Sequence, residues 1–212
     1  NLLIDTSPDL RTQLLREQIG IVDSVIYTHE HTDHVMGFDD LRLFQFYLGH
    51  PVPVYCNARV EKRLKMAFDY AFSDEAQTHA GAAPSVDLIS IQSKPVQILG
   101  AEIIPIPLKH GPKFDVLGFR IGDVAYCTDV SEIPDSSWEL LQGLDTLVLD
   151  ALREDPHPTH FSIAEAVEVA QRLGVRQTYF THCACRLDYE SVNSALPAGI
   201  AVGYDGLQIK LT

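Results

Sequence analysis

The 212 residues carry 29 acidic against 16 basic side chains, a formal net charge of −13. A chain of this length buries a substantial core and fits one domain over residues 1–212. Its field repels polyanions at long range, so nucleic acid is a poor default partner. No run of about 18 apolar residues occurs, which rules out a transmembrane helix for this stretch, and no membrane partner is expected. Cys56, Cys127, Cys183 and Cys185 show no spaced disulfide framework and fit a reducing, cytoplasmic setting.

In chain order, Asn1-Leu2-Leu3-Ile4-Asp5 reads as the inside of a strand with no initiating Met, so further residues are expected upstream, where any targeting peptide would lie. Leucines at helical spacing predict a helix over 8–19, with Gly20 as its C-terminal cap. The apolar run 21–27 predicts a strand. Asp39 to Leu48 reads as a helix, Val52 to Tyr55 as a strand, and Ala58 to Ala71 as a helix with Val60, Leu64, Ala67 and Phe68 on its apolar face. Residues 73–86 read as a loop, the best candidate for a mobile lid. Strands are predicted at 87–91, 96–99, 102–108, 116–121, 124–127, 145–149, 177–181 and 207–211. Between 145–149 and 177–181, Ser162 and Glu165 form a capping box that opens a helix continuing to Leu173 and ending at Gly174. Strands alternating with helices, without repeats or linkers, define an α/β or α+β class with layered sheets.

The chemistry concentrates in Thr28-His29-Glu30-His31-Thr32-Asp33-His34, directly after the strand 21–27. A histidine-rich surface loop is the bland alternative, but H-x-H-x-D-H after a strand is an uncommon arrangement. Neutral imidazoles and a carboxylate suit zinc, manganese or iron. Histidines two apart at a strand end point to the same side, whereas Asp33 and His34 can turn toward a second position, so the spacing hints at two metals. Three more strands run into a polar residue of ligand type: 102–108 through Lys109 to His110, 124–127 through Thr128 to Asp129, and 177–180 through Thr181 to His182. Each alone reads as a residue satisfied by a turn. Together, at successive strand ends, they converge on one rim of a sheet. Cys183 and Cys185 flank this last position and read as small buried or incidental thiols rather than ligands.

This arrangement resembles the metallo-β-lactamase fold superfamily over nearly the whole chain. The resemblance implies a four-layer αβ/βα sandwich that lacks its N-terminal strand or strands in this chain. It also implies that His29, His31 and His110 hold one metal, that Asp33, His34 and His182 hold the second, and that Asp129 bridges them. Asp5, in Leu-Ile-Asp-Thr, matches the family's strand-end aspartate that supports the histidine loop. Within the superfamily, the stretches 1–11, 109–112, 126–130, 149–152 and 157–163 are similar to the phosphoribosyl cyclic phosphodiesterase of carbon–phosphorus lyase pathways, with ribonuclease Z and the pyrroloquinoline quinone biosynthesis protein B as more distant cousins. By that similarity His160 is a catalytic histidine that meets the leaving-group oxygen; just before a capping serine, it also reads as a structural staple. The similarity departs at two points. No cysteine and histidine cluster for a structural zinc is visible, and Cys185 stands where many relatives carry a histidine.

The resemblance therefore implies a cytoplasmic, dinuclear metal-dependent phosphodiesterase with two divalent ions, Zn2+ or Mn2+, acting on a small phosphate ester such as a cyclic ribose phosphate through a metal-bridging hydroxide. Asp33 would orient the nucleophile, and His160, protonated, would support the departing alkoxide. Lys109, Lys113 and Arg186 are weaker candidates for holding a second phosphate. The alternatives are a ribonuclease Z-like tRNA 3′ endonuclease, a carboxylic ester, lactone or thioester hydrolase, and a noncatalytic binding protein of cofactor biosynthesis; a homodimer is left open. A tRNA enzyme would need a basic arm, which this acidic chain lacks.

Overall fold

The computed structural model describes residues 1–73, 78, 79 and 81–210. The chain divides into two compact units, residues 1–92 with 98–100, and residues 93–97 with 101–212.

The first unit holds a parallel sheet in the order β1 (Leu2–Ile4), β2 (Ser24–Ile26), β3 (Val52–Cys56) and β4 (Val86–Ser90). In β3 the alternation puts Val52, Val54 and Cys56 in the core while Pro53 and Tyr55 stay half-buried, the period-2 signature of a strand. Among the described residues four helices accompany the sheet: α1 (Leu10–Arg16), α2 (Thr32–Val35), α3 (Phe44–Leu48) and α4 (Ala58–Ala67). Asn57 opens α4 by accepting hydrogen bonds from Arg59 N and Val60 N, both 3.0 Å, and Val60 and Leu64, one turn apart, bury into the core.

The ends of these helices differ from expectation. Helix α1 stops at Arg16, because Gln18 takes the left-handed conformation (φ 56) and directs its own N–H to Leu15 O and that of Ile19 to Leu14 O. Those two bonds form a Schellman closure with glutamine in the usual glycine position, so Gly20 plays no capping part. The helix expected over 39–48 is a 3-10 turn, Phe38–Leu43, running into α3, which Gly49 ends at φ 74. Helix α4 breaks at Phe68, and the remainder of the expected span holds a 3-10 turn, Asp69–Ala71. Of the loop expected over 73–86, residues 74–77 and 80 lie outside the described residues.

A seven-stranded sheet, whose residues other than Ile98 belong to the second unit, has the order β11-β10-β9-β8-β7-β6-β5, with β5 (Val96–Ile98), β6 (Ala101–His110), β7 (Phe114–Ile121), β8 (Val124–Cys127), β9 (Thr146–Asp150), β10 (Gln177–Thr181) and β11 (Ile200–Val202). Strands β6, β7 and β8 form an antiparallel meander. From β8 to β11 the pairing is parallel, with crossovers through α5 (Asp135–Trp138), α6 (Ile163–Leu173) and α7 (Tyr189–Ala195). Helix α6 carries the anticipated capping box and ends at Gly174 in the left-handed conformation, burying Ala166, Val169 and Ala170. Residues 207–210 are not a strand; among the described residues the last strand is β11, three residues long and too short to carry a period. Among the described residues no helix is long and apolar enough to cross a membrane.

The topology dictates where side chains meet. In β8, β9 and β10 all carboxyl ends lie on one edge, with Cys127 paired to Leu149 and Asp150 paired to Thr181. Strand β6 runs in the same direction as β8, since each is antiparallel to β7, so its last residue, His110, reaches the same edge. Open sheets place ligands outside such carboxyl ends.

Candidate metal centre

In the first unit the anchor is Asp5, immediately after β1. Its Oδ1 accepts the Thr28 N–H at 2.8 Å, and its Oδ2 accepts from Thr28 Oγ1 and from His34 Nδ1, both at 2.7 Å. With its proton committed to Asp5, the Thr28 hydroxyl is an acceptor for His29 Nδ1 at 3.0 Å. Both rings are thereby held as Nδ1–H tautomers with the lone pair on Nε2. His29 and His34 lie with ring centroids 4.1 Å apart, His29 and His31 at 4.6 Å, and His34 Nε2 is 3.4 Å from Asp33 Oδ2. Glu30, between the two histidines of the motif, is nearly buried and pairs with Arg59 at 2.7 Å, pinning the loop to the start of α4. Thr6 N donates to His34 O at 2.7 Å and Gly37 N to Thr6 O at 2.9 Å, so the exit of β1 and the end of α2 are laced together. A Cβ on Gly37 would sit 2.1 Å from Ser7 O, so this approach requires glycine.

In the second unit Asp150 is the counterpart of Asp5. It is fully buried, and its Oδ2 accepts from Val130 N at 3.1 Å, Phe161 N at 3.3 Å and His160 Nδ1 at 3.0 Å; its Oδ1 is 3.6 Å from His182 Nδ1. His110 donates from Nδ1 to the Thr159 carbonyl at 2.7 Å, which fixes its lone pair on Nε2. Gly111 comes next at φ 70, and a Cβ there would lie 2.6 Å from Thr159 Cγ2, so glycine lets Thr159 close on the histidine. Asp129 Oδ1 lies 3.8 Å from His110 Nε2 and 3.4 Å from His182 Nε2, while its Oδ2 accepts from Thr128 Oγ1 at 2.7 Å. His160 stacks on His182, centroids 4.8 Å apart and planes within 12°.

These residues fit divalent ions by their chemistry and their spacing. Ligating histidines characteristically spend the second ring nitrogen on a carboxylate or carbonyl, which is the arrangement at His34 and His110. Two donors sharing one zinc at about 2.1 Å each lie about 3.4 Å apart, the separation at Asp33–His34 and Asp129–His182. Burial raises the Asp5 carboxyl above its usual range, against the pull of His34 and Thr28; burial likewise raises Asp150, against the pull of His160. Cations nearby relieve such buried carboxylates. Asp5, Asp129 and His182 all adopt positive φ (60, 56 and 59), a strained conformation that recurs at functional strand ends.

Of the residues singled out by sequence, His29, His31, Asp33 and His34 share the first unit, and His110, Asp129, His160 and His182 share the second. Sequence reasoning misses the orienting groups Asp150, Thr28 and Thr159. Asp150 carries a usable signal, an aspartate at the end of the apolar run 146–149, the same pattern that marks Asp129. Thr159 acts through its carbonyl and leaves no trace in a sequence. Lys109, a weaker candidate for holding phosphate, donates to Asp115 across the β6–β7 hairpin at 2.5 Å.

A mixed α/β fold whose strand ends carry imidazoles backed by carboxylates defines a hydrolase of the metallo-β-lactamase fold. The chain belongs to the beta-lactamase superfamily: the family model described as "Beta-lactamase superfamily domain" matches residues 1–183. It is similar to a crystal structure described as a new diphosphatase from the PhnP family, at 42% identity and a TM-score of 0.90, covering 100% of this chain and 80% of that one. It is 30% identical over 210 residues, 98% of this chain, to an octanoyltransferase of Porphyromonas gingivalis (strain ATCC BAA-308 / W83), of which it spans only 42%. The short form of human tRNase Z shares the fold at 15% identity and a TM-score of 0.73, covering 100% of this chain and 88% of that one.

Proposed function

We propose that this chain hydrolyses a small phosphate diester, of the kind represented by a cyclic ribose phosphate. Two divalent ions, zinc or manganese, would be shared by His29, His31 and His110 on one side and Asp33, His34 and His182 on the other, with Asp129 common to both. Bound there, such ions supply Lewis-acid activation of water and neutralise phosphate charge.

The observation that carries the reading is His160. It is oriented by Asp150 as His29, His34 and His110 are oriented by Thr28, Asp5 and Thr159, and it stacks on His182. With Nδ1–H directed at Asp150, its Nε2 is the nitrogen that can hold a proton for a departing alkoxide, and the Asp150 carboxylate stabilises the ring while it is charged. Asp33, whose side chain is 58% exposed, is the carboxylate of the set most open to solvent and suits the orientation of an attacking water. The likeness to a PhnP-family diphosphatase supports phosphorus as the electrophile, and extends the candidates to small diphosphates.

A second reading draws on the octanoyltransferase relative: hydrolysis of an acyl ester or thioester, since activated water attacks carbonyls as well as phosphorus. Parallel assays separate the two. Bis(p-nitrophenyl) phosphate cleavage that vanishes with chelator and returns with manganese or zinc supports the first; octanoyl thioester cleavage alone supports the second. Fully metallated protein inert toward every phosphate ester overturns the proposal. The net charge of −13 argues against a tRNA substrate, and failure to bind tRNA at low salt would complete that exclusion.

A further inference from the structure

Beside His182 the second unit contains a cavity of about 470 Å³ that the hydrolytic reading leaves unused. This lies within the range of about 300–1,000 Å³ typical of small-molecule sites. It is lined by Tyr126 of β8 and Val148 of β9, which are partners in the β-ladder, and by Tyr204, Asp205 and Leu207 of the segment after β11. His182 is a further lining residue. Tyr204 is 60% exposed, which leaves its ring open to an occupant of the cavity. The turn that presents it is held by Leu207 N donating to Tyr204 O at 3.0 Å.

The chemistry of the walls selects an occupant. Among the described residues no Lys or Arg lines the cavity and one carboxylate does, so it disfavours phosphate and suits a neutral group. Tyrosine faces with apolar neighbours favour a flat ring, and aromatic stacking of a nucleobase is worth about 1–3 kcal/mol per base. A carboxylate at the rim is an acceptor for an exocyclic amine. We propose that this cavity holds the base of a nucleoside phosphate whose phosphate lies toward His182, which makes the substrate a nucleotide-type ester rather than a bare sugar phosphate. This rests on the phosphate-ester reading and narrows it.

The test is calorimetric binding of AMP and ribose 5-phosphate to the metal-loaded chain, alongside bis(p-nitrophenyl) phosphate turnover by the same preparation. AMP should bind at least tenfold more tightly than ribose 5-phosphate; Tyr204→Ala should bring the two within about twofold, and Tyr204→Phe, which keeps the ring, should restore the gap. Equal affinities in the wild type, or a preference that survives Tyr204→Ala, would overturn the inference. Turnover without a base preference refutes the pocket and leaves the hydrolase; a base preference without any turnover refutes the hydrolase and leaves the pocket.

Discussion

Replacing Asp150 by Asn removes a charge while keeping the shape of the side chain. The carboxylate serves two sides: Oδ2 holds Val130 N, Phe161 N and His160 Nδ1, and Oδ1 faces His182 Nδ1 at 3.6 Å. An amide can offer oxygen on one side only. With the oxygen toward the two backbone donors, those bonds survive and His160 keeps a neutral acceptor, but the NH2 group turns toward His182. Loss of an orienting partner costs a metal ligand about 10–100-fold in affinity, and an impaired general acid costs about 10²–10⁴-fold in rate. Stability should move the other way. Burial raises the Asp150 carboxyl in the folded state, so its ionised form opposes folding at every pH above the unfolded carboxylate range, and a neutral isostere relieves that cost. The expected variant keeps or raises its Tm at pH 7, binds metal about 10–100-fold more weakly, and at saturating metal turns over at least about 100-fold more slowly. Metal titration, thermal unfolding and steady-state kinetics read the three quantities separately. Wild-type metal affinity with wild-type kcat would show that Asp150 orients neither ring and refute the reasoning.

Three further outcomes are expected. His160→Ala should retain full metal content by elemental measurement while losing about 10²–10⁴-fold in kcat; loss of metal instead would make His160 a ligand. Gly37→Ala places a methyl 2.1 Å from Ser7 O and should destabilise by about 3 kcal/mol, lowering Tm by about 6–12 °C in a thermal melt; an unchanged melt would contradict the lacing of β1 to α2. Iodoacetamide at pH 8 should label exposed Cys185 in the native protein but spare Cys56 and Cys127, whose thiols burial pushes up to about 12, as mass spectrometry before and after unfolding would reveal. Rapid native labelling of Cys127 would mean that the second core opens.

Much of this molecule is written locally. The H-x-H-x-D-H cluster, the strands ending at His110, Asp129 and His182, and the capping box of α6 are short-range patterns, because ligand spacing, alternation and caps are all properties of neighbouring residues. The end of α1 is not, since Gln18 takes the left-handed turn for which Gly20 is the better-suited residue, and the three residues of β11 are too few to show a period. What only the tertiary structure decided is who orients whom. Asp5 reaches His34 across 29 positions, Thr159 reaches His110 across 49, and Asp150 collects Val130, His160 and Phe161 around one oxygen. Strand register creates these partnerships, by bringing the carboxyl ends of parallel strands side by side. A donor's chemistry is therefore legible in its own letter, whereas its tautomer and aim belong to a partner that only the folded sheet supplies.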